Sequence, residues 1–176
     1  MYLMKEATMI YLKEANIEDA KAEYEMFAQM PEDENGFTNP EFGASFDEYV
    51  NTILPKKINN SKGLDLPDGF VPQTDFFLWD DDKVVGLFRL RHYLNDFLRE
   101  NAGHIGYGIR KDSRGNGYAT KGLELLLAVG KDIIEEDEFY LSVHKDNKAS
   151  IKVQMSNGAK IVREDEINYY TRIAKN

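Results

Sequence analysis

The chain contains no cysteine. That excludes disulfides, thiolate metal sites and a cysteine nucleophile. Its three histidines, His92, His104 and His144, lack close metal-ligand spacing, so no metal site is expected. No apolar run approaches the ~20 residues that span a bilayer. Residues Met1 to Glu6 show no charged start followed by an apolar core, so no secretory leader is expected and a cytoplasmic location follows by default. Positive charge is scarce: 22 Lys and Arg face 31 Asp and Glu, for a net charge of −9. A direct nucleic-acid partner is disfavoured, because binding there rests on cations neutralising phosphates. No repeat or low-complexity segment occurs.

What is present suits one soluble globular domain over residues 1–176, with 42% hydrophobic and 30% charged residues. The acidity is uneven. Between Pro31 and Asp75 nine acids stand against three lysines. Such a stretch reads either as solvated surface or as a field that attracts a cationic substrate.

The most informative segment is Arg114-Gly115-Asn116-Gly117-Tyr118-Ala119. It follows a strand-like run, His104 to Ile109, and opens a helix-like run reaching about Ile134. A strand, a glycine turn and a helix N-terminus present free backbone N–H groups to an anion. Gly115 and Gly117 let a phosphate approach the main chain. The segment therefore reads as a diphosphate cradle over Arg114, Gly115, Asn116, Gly117, Tyr118, Ala119 and Thr120. It is not the dinucleotide fingerprint, since Thr120 replaces the third glycine. Nor is it a P-loop, since Leu123 follows Gly122 where lysine is required.

Arg114, Gly117 and Ala119 match [RQ]-x-x-G-x-[GA], and the chain here resembles the GNAT N-acetyltransferases. Val143, Asn147 to Ile151 and Gly158 resemble that family's second motif, a strand, an Asn and a short helix ending in Gly. The element pattern agrees. Strand Met9–Glu14 precedes a helix from Ile17, capped by Asn16 and ended by Pro31, and then a loop from Pro31 to Gly43. A second helix opens on the Ser45/Glu48 capping box and either stops before Pro55 or continues, kinked, to about Asn59. After a loop, strands 76–79 and 84–90 flank an acidic turn, and 95–101 connects to strand 102–110. The helix from Gly117, strand 139–143, helix 149–155 and strands 160–163 and 167–174 complete the chain. This order gives an α/β chain with a mixed sheet. The resemblance implies a GNAT-like fold, a central, mostly antiparallel twisted sheet flanked by helices.

The resemblance also implies acetyl-CoA as co-substrate, no metal, and direct attack of a primary amine on the thioester. Pantetheine would lie along strand 104–109, near Ile109 and Arg110, with Asn147 bonding one of its amides or capping the helix. His104 shares a strand face with Gly106 and Gly108, a face that leaves room for a ligand, and is the leading base. Many relatives carry an acidic Tyr on the helix after the Asn; here Gln154 stands there. Ser150, one turn earlier, is the alternative partner for the thiolate, with Tyr170 or Tyr169 of the last strand behind it. The acceptor is a small cationic amine or a peptide amine. A non-catalytic acyl-CoA sensor is the competing class, and a homodimer is left open.

Overall fold

A computed structural model describes residues 8–176. The core of the architecture is a sheet in two parts, and each part follows from the hydrophobic pattern of its strands. Strand β4 (Gln73–Asp80) and strand β5 (Lys83–Arg91) are nearly continuous apolar runs, buried on both faces. They pair antiparallel around the acidic turn, with β1 (Ile10–Glu14) outside β4 and β6 (Ile105–Ile109) outside β5. The second part is three-stranded, in the order β7 (Glu138–His144), β9 (Asn168–Ala174), β8 (Lys160–Glu164). In β7 burial alternates residue by residue, with Phe139, Leu141 and Val143 turned inward.

Helices cover both faces. Helix α5 (Tyr118–Gly130) crosses from β6 to β7 and packs on Phe88, Leu90, Phe139 and Leu141 through Leu123 and Leu126. A Cβ at Gly122 would stand 2.2 Å from the Phe88 ring, so glycine permits this close packing. On the other face lie α1 (Ala20–Phe27), α2 (Phe46–Glu48) and α3 (Leu54–Ser61). The capping box at Ser45 and Glu48 is present, and both of its hydrogen bonds are made. From there the chain runs through a widened π turn, Tyr49–Ile53, immediately ahead of Pro55, and continues helical to Ser61. The missing proline N–H is thus absorbed without breaking the rod.

Three expectations need correction. The stretch 31–43 is not only loop: Asp33–Glu34 (β2) and Phe37–Thr38 (β3) form a small hairpin. The connection 95–101 contains helix α4 (Asp96–Glu100), capped by the Asn95 side chain, which accepts from the Leu98 N–H at 2.9 Å. Helix α1 begins at Ala20 rather than Ile17, because the Asn16 side chain accepts from the Asp19 N–H and caps a preceding turn. Helix α6 (Lys148–Ser156) follows β7 as expected.

Strands β6 and β7 touch at their N-terminal ends and then part. The His104 N–H donates to the Tyr140 carbonyl at 2.7 Å. Gly103, at φ +67°, lies so close that a Cβ would stand 2.1 Å from the same oxygen. Beyond this vertex the sheet opens into a V whose free edges belong to β6 and to the β7–α6 junction.

Candidate functional site

The V holds two clefts that meet. One, of ≈ 440 Å³, runs along the free edge of β6 past the α5 N-terminus to α6. The other, of ≈ 290 Å³, lies towards the β2–β3 hairpin, β5 and β7. Glu34, Asn35, Phe37, Tyr107, Asn147 and Ser150 line both, so the passage between the clefts runs among these six residues.

At the mouth of the larger cleft, Gly115 and Gly117 have φ of +79° and +78°, and no atom lies within 4 Å of a Cβ built on either. Gly117 is the N-cap of α5 and offers no side chain. The first bond of the helix runs from the Lys121 N–H to the Gly117 carbonyl, and among the described residues the N–H groups of 115–120 have no acceptor. The Asn116 side chain staples the turn by donating to the Ser113 and Arg114 carbonyls. Tyr118 turns away from the turn and donates to Asp80. The Thr120 carbonyl accepts from Asn157 at 3.2 Å, which ties α5 to the end of α6. Residues 115–120, Ala119 among them, thus form one open rim of N–H donors at the start of α5, the kind of rim that suits an anion.

Arg114 is placed differently from expectation. Its guanidinium forms a two-point pair with Glu34 of the hairpin, at 3.0 and 2.7 Å, and its Nε donates to the Ile109 carbonyl. Arg110 is occupied with Asp112 and the Val84 carbonyl. In the β5–β6 ladder the Arg110 N–H bonds the Val85 carbonyl, so alternation turns the main-chain groups of Tyr107 and Ile109 to the free edge. An amide-bearing chain can add there as an extra strand does.

Asn147 caps α6: its Oδ1 accepts from the Ser150 N–H at 3.2 Å. Ser150 sits at the passage, its hydroxyl 2.7 Å from that of Tyr107. Burial, only partly opposed by bonds to Ser150 and Gln154, pushes the Tyr107 phenol up to about 12. It stays protonated, and when it donates to Ser150 the serine proton is free to point into the cleft. Gln154 is buried, accepting from Thr171 at 2.7 Å and donating to the Ser142 carbonyl. Tyr170 lines the smaller cleft, but its hydroxyl donates to Asp165 at 2.6 Å and its ring lies under the Arg163 guanidinium.

The expectation for His104 is corrected. The ring has no solvent exposure and lines neither cleft. Its Nδ1 accepts from the Tyr140 N–H at 2.9 Å, which leaves the proton on Nε2, and that proton goes to Glu136 at 2.8 Å. Burial holds its pKa below the ordinary value against the pull of Glu136. For Glu136 burial pushes upward, but the bonds from His104 and the Leu94 N–H outweigh it and the carboxyl stays ionised. His104 thus clasps the vertex of the V. The glycine face beside it is not empty either: Phe37 packs on Gly106 and Gly108, where added Cβ atoms would stand 3.0 and 3.2 Å from its ring.

Of the stretch 31–75, residues 34–38 line the smaller cleft, but most of its acids do not. Glu34 is its one acid there, and it is paired. Asp75 is buried between Lys57 and Arg89, and their charges hold it at about 2 against the effect of burial. The ionisable groups of this cleft missed from sequence are Arg89, Arg91 and His144. Tyr107 was missed as well, although a tyrosine between Ile105 and Ile109 on one strand face was a visible signal.

Among the described residues no helix is long and apolar enough to cross a membrane, and no group of three or more potential ligands could hold a metal ion.

No curated protein matches the chain by sequence. Solved structures match it over nearly its full length. A probable acetyltransferase is 21% identical, with 94% of this chain and 93% of that one covered and a TM-score of 0.68. The ribosomal L7/L12 α-N-protein acetyltransferase RimL, in complex with coenzyme A, is 16% identical, with 96% of each chain covered and a TM-score of 0.68. The spermidine N-acetyltransferase of Vibrio cholerae, in complex with CoA and spermine, is 18% identical, with 94% and 95% covered and a TM-score of 0.67. These similarities establish the fold. The acetyltransferase (GNAT) domain profile matches residues 9–160, most of the length, and the chain belongs to that family.

Proposed function

We propose that the protein is an acetyl-CoA-dependent N-acetyltransferase that acts on a primary amine. The observation that carries this reading is the run of acceptor-free N–H groups at 115–120, placed at one end of a cleft whose other end reaches the Tyr107–Ser150 hydroxyl pair. The coenzyme supplies an activated acetyl group as a thioester. The amides of 115–120 hold its diphosphate, with Gly115 and Gly117 giving it access. The free edge at Tyr107 and Ile109 aligns the pantetheine amides, and Asn147 lines the same cleft.

The amine enters from the smaller cleft and attacks the thioester carbonyl carbon. The C–N bond forms, the C–S bond breaks, and coenzyme A leaves with the sulfur. Ser150, backed by Tyr107, gives a proton or a hydrogen bond to that sulfur. The amine must shed a proton. His144 lines the amine's cleft, and its ring nitrogens have no protein partner among the described residues, so it replaces His104 as the candidate base.

Two observations favour catalysis over a sensor. A hydroxyl pair stands at the passage, so the loss of the usual tyrosine to Gln154 leaves a donor in place. A second cleft opens onto the same passage. Thiol release from acetyl-CoA, followed across a panel of amines, tests the reading. Amine-dependent release is expected. Tight CoA binding with no release for any amine would leave the sensor.

A further inference from the structure

The smaller cleft contains a cation without a counter-ion. Arg91 ends strand β5 and lines the cleft wall. Its Nη1 donates to the Gly103 carbonyl at 3.0 Å, and the other donors of the fork have no partner among the described residues. It forms no ion pair among the described residues. Arg89 lies two residues earlier on the same strand face and lines the same cleft. Its guanidinium sits over the Phe37 ring, 5.0 Å from the centroid, and donates to the Thr38 carbonyl at 3.3 Å. One buried carboxylate, Asp75, serves both Arg89 and Lys57. Arg91 has no part in that pairing. Glu34, the one acid lining the cleft, is engaged by Arg114.

A buried guanidinium is costly when unpaired. Burial, with the neighbouring Arg89, pulls Arg91 down to about 10, so it remains charged at neutral pH. Arg91 is half-buried, forms no ion pair among the described residues, and faces a cavity. A rigid fork of N–H donors matches a planar carboxylate.

We propose that Arg91, with Arg89 beside it, forms a carboxylate subsite in the acceptor cleft, so that the acceptor is an amine carrying a carboxylate near its reacting nitrogen. This rests on the transferase reading for the amine's role and names its substrate class. It reverses the expectation of a cationic acceptor drawn from the acidic stretch. The cleft, at ≈ 290 Å³, has room for a group of amino-acid size. Two sources supply such chemistry: the α-carboxylate of a free amino acid, and an acidic side chain at the start of a peptide.

Matched acceptors test it. Free amino acids, their carboxamides, and C-terminally amidated dipeptides beginning with Asp or Glu, or with Asn or Gln, are compared by kcat/KM. Each carboxylate should exceed its amide partner by about tenfold or more, the scale of a charged hydrogen bond. The free-acid arm and the dipeptide arm identify the source. Arg91→Gln should bring the acid-to-amide ratio to near one, mainly through KM, and Arg91→Lys should keep part of it. The wild-type comparison decides even if a variant fails to fold. In parallel, N-acetyl amino acids and their amides are titrated calorimetrically into the CoA-loaded protein. Arg91-dependent binding of acids without any thiol release would keep the subsite and remove the transferase reading. Turnover that ignores the carboxylate, or no binding and no turnover of any acid, overturns the subsite.

Discussion

Ser150 and Tyr107 act as one unit, because their hydroxyls lie 2.7 Å apart where the two clefts meet. On the proposed mechanism, removing either breaks the same path to the sulfur. Ser150→Ala and Tyr107→Phe should each lower kcat by about 10²-fold, with little change in KM for acetyl-CoA. The double variant should cost scarcely more than the worse single one, since residues acting together are not additive. Steady-state kinetics of the four proteins checks this, and additive losses contradict it. His104 belongs to a different class of residue. Its loss strands the Tyr140 N–H and the Glu136 carboxylate, so His104→Ala should cost about 2 kcal/mol or more of stability. The pH–rate profile should keep its shape. The folded pKa lies below the unfolded ~6.5. The unfolded chain therefore binds the proton first, and the wild type loses stability as pH falls through that value. Urea midpoints of wild type and His104→Gln should converge on acidification and run level above neutrality. Divergence on acidification contradicts the clasp.

At the scale of elements, α1 is anchored to the π turn through Glu23. Its carboxylate is fully buried, accepts from the Tyr49 hydroxyl at 3.1 Å and from the Asn16 N–H at 2.9 Å, yet burial raises it to about 7. The folded state thus holds a proton that the unfolded chain, with a value of 4.5, has released. The wild type should lose stability as pH rises from 4.5 through about 7, by a linkage on the order of 3 kcal/mol. Glu23→Gln should lack that slope in paired denaturation series, whatever its constant offset, and parallel curves contradict the assignment. Elements also show what could be read in advance. The β6–turn–α5 cradle was legible because its signals are local: two glycines, a helix start and a strand before them. The β2–β3 hairpin was not, because two-residue strands carry no period. What fixes the hairpin is Phe37 landing on Gly106 and Gly108, about seventy residues away in sequence. The same contact explains the misplaced base. Alternation assigned His104 to the glycine face, but not what covers that face or which partners claim the ring.

The whole molecule turns on the V between β6 and β7, whose vertex is the main-chain bond from His104 to Tyr140 and whose arms enclose both clefts. Net charge does not describe the cleft wall at this scale. The acids between Pro31 and Asp75 lie mostly exposed on the β2–β3 hairpin, on α2 and in the loop after α3, and the wall of the smaller cleft carries arginines. The central claim is that the coenzyme's diphosphate rests on the amides of 115–120 at one mouth of that V. The most direct measurement is a titration of isotope-labelled protein with coenzyme A, read by backbone amide NMR. The amides of 115–120 should shift together and saturate with the binding isotherm. Gly117→Val, whose branched side chain fills the open space and strains a backbone at φ +78°, should lose those shifts and most of the affinity while the amide spectrum elsewhere stays that of a folded chain. Saturable binding that leaves these six amides unmoved, or an unchanged isotherm in folded Gly117→Val, would contradict the account.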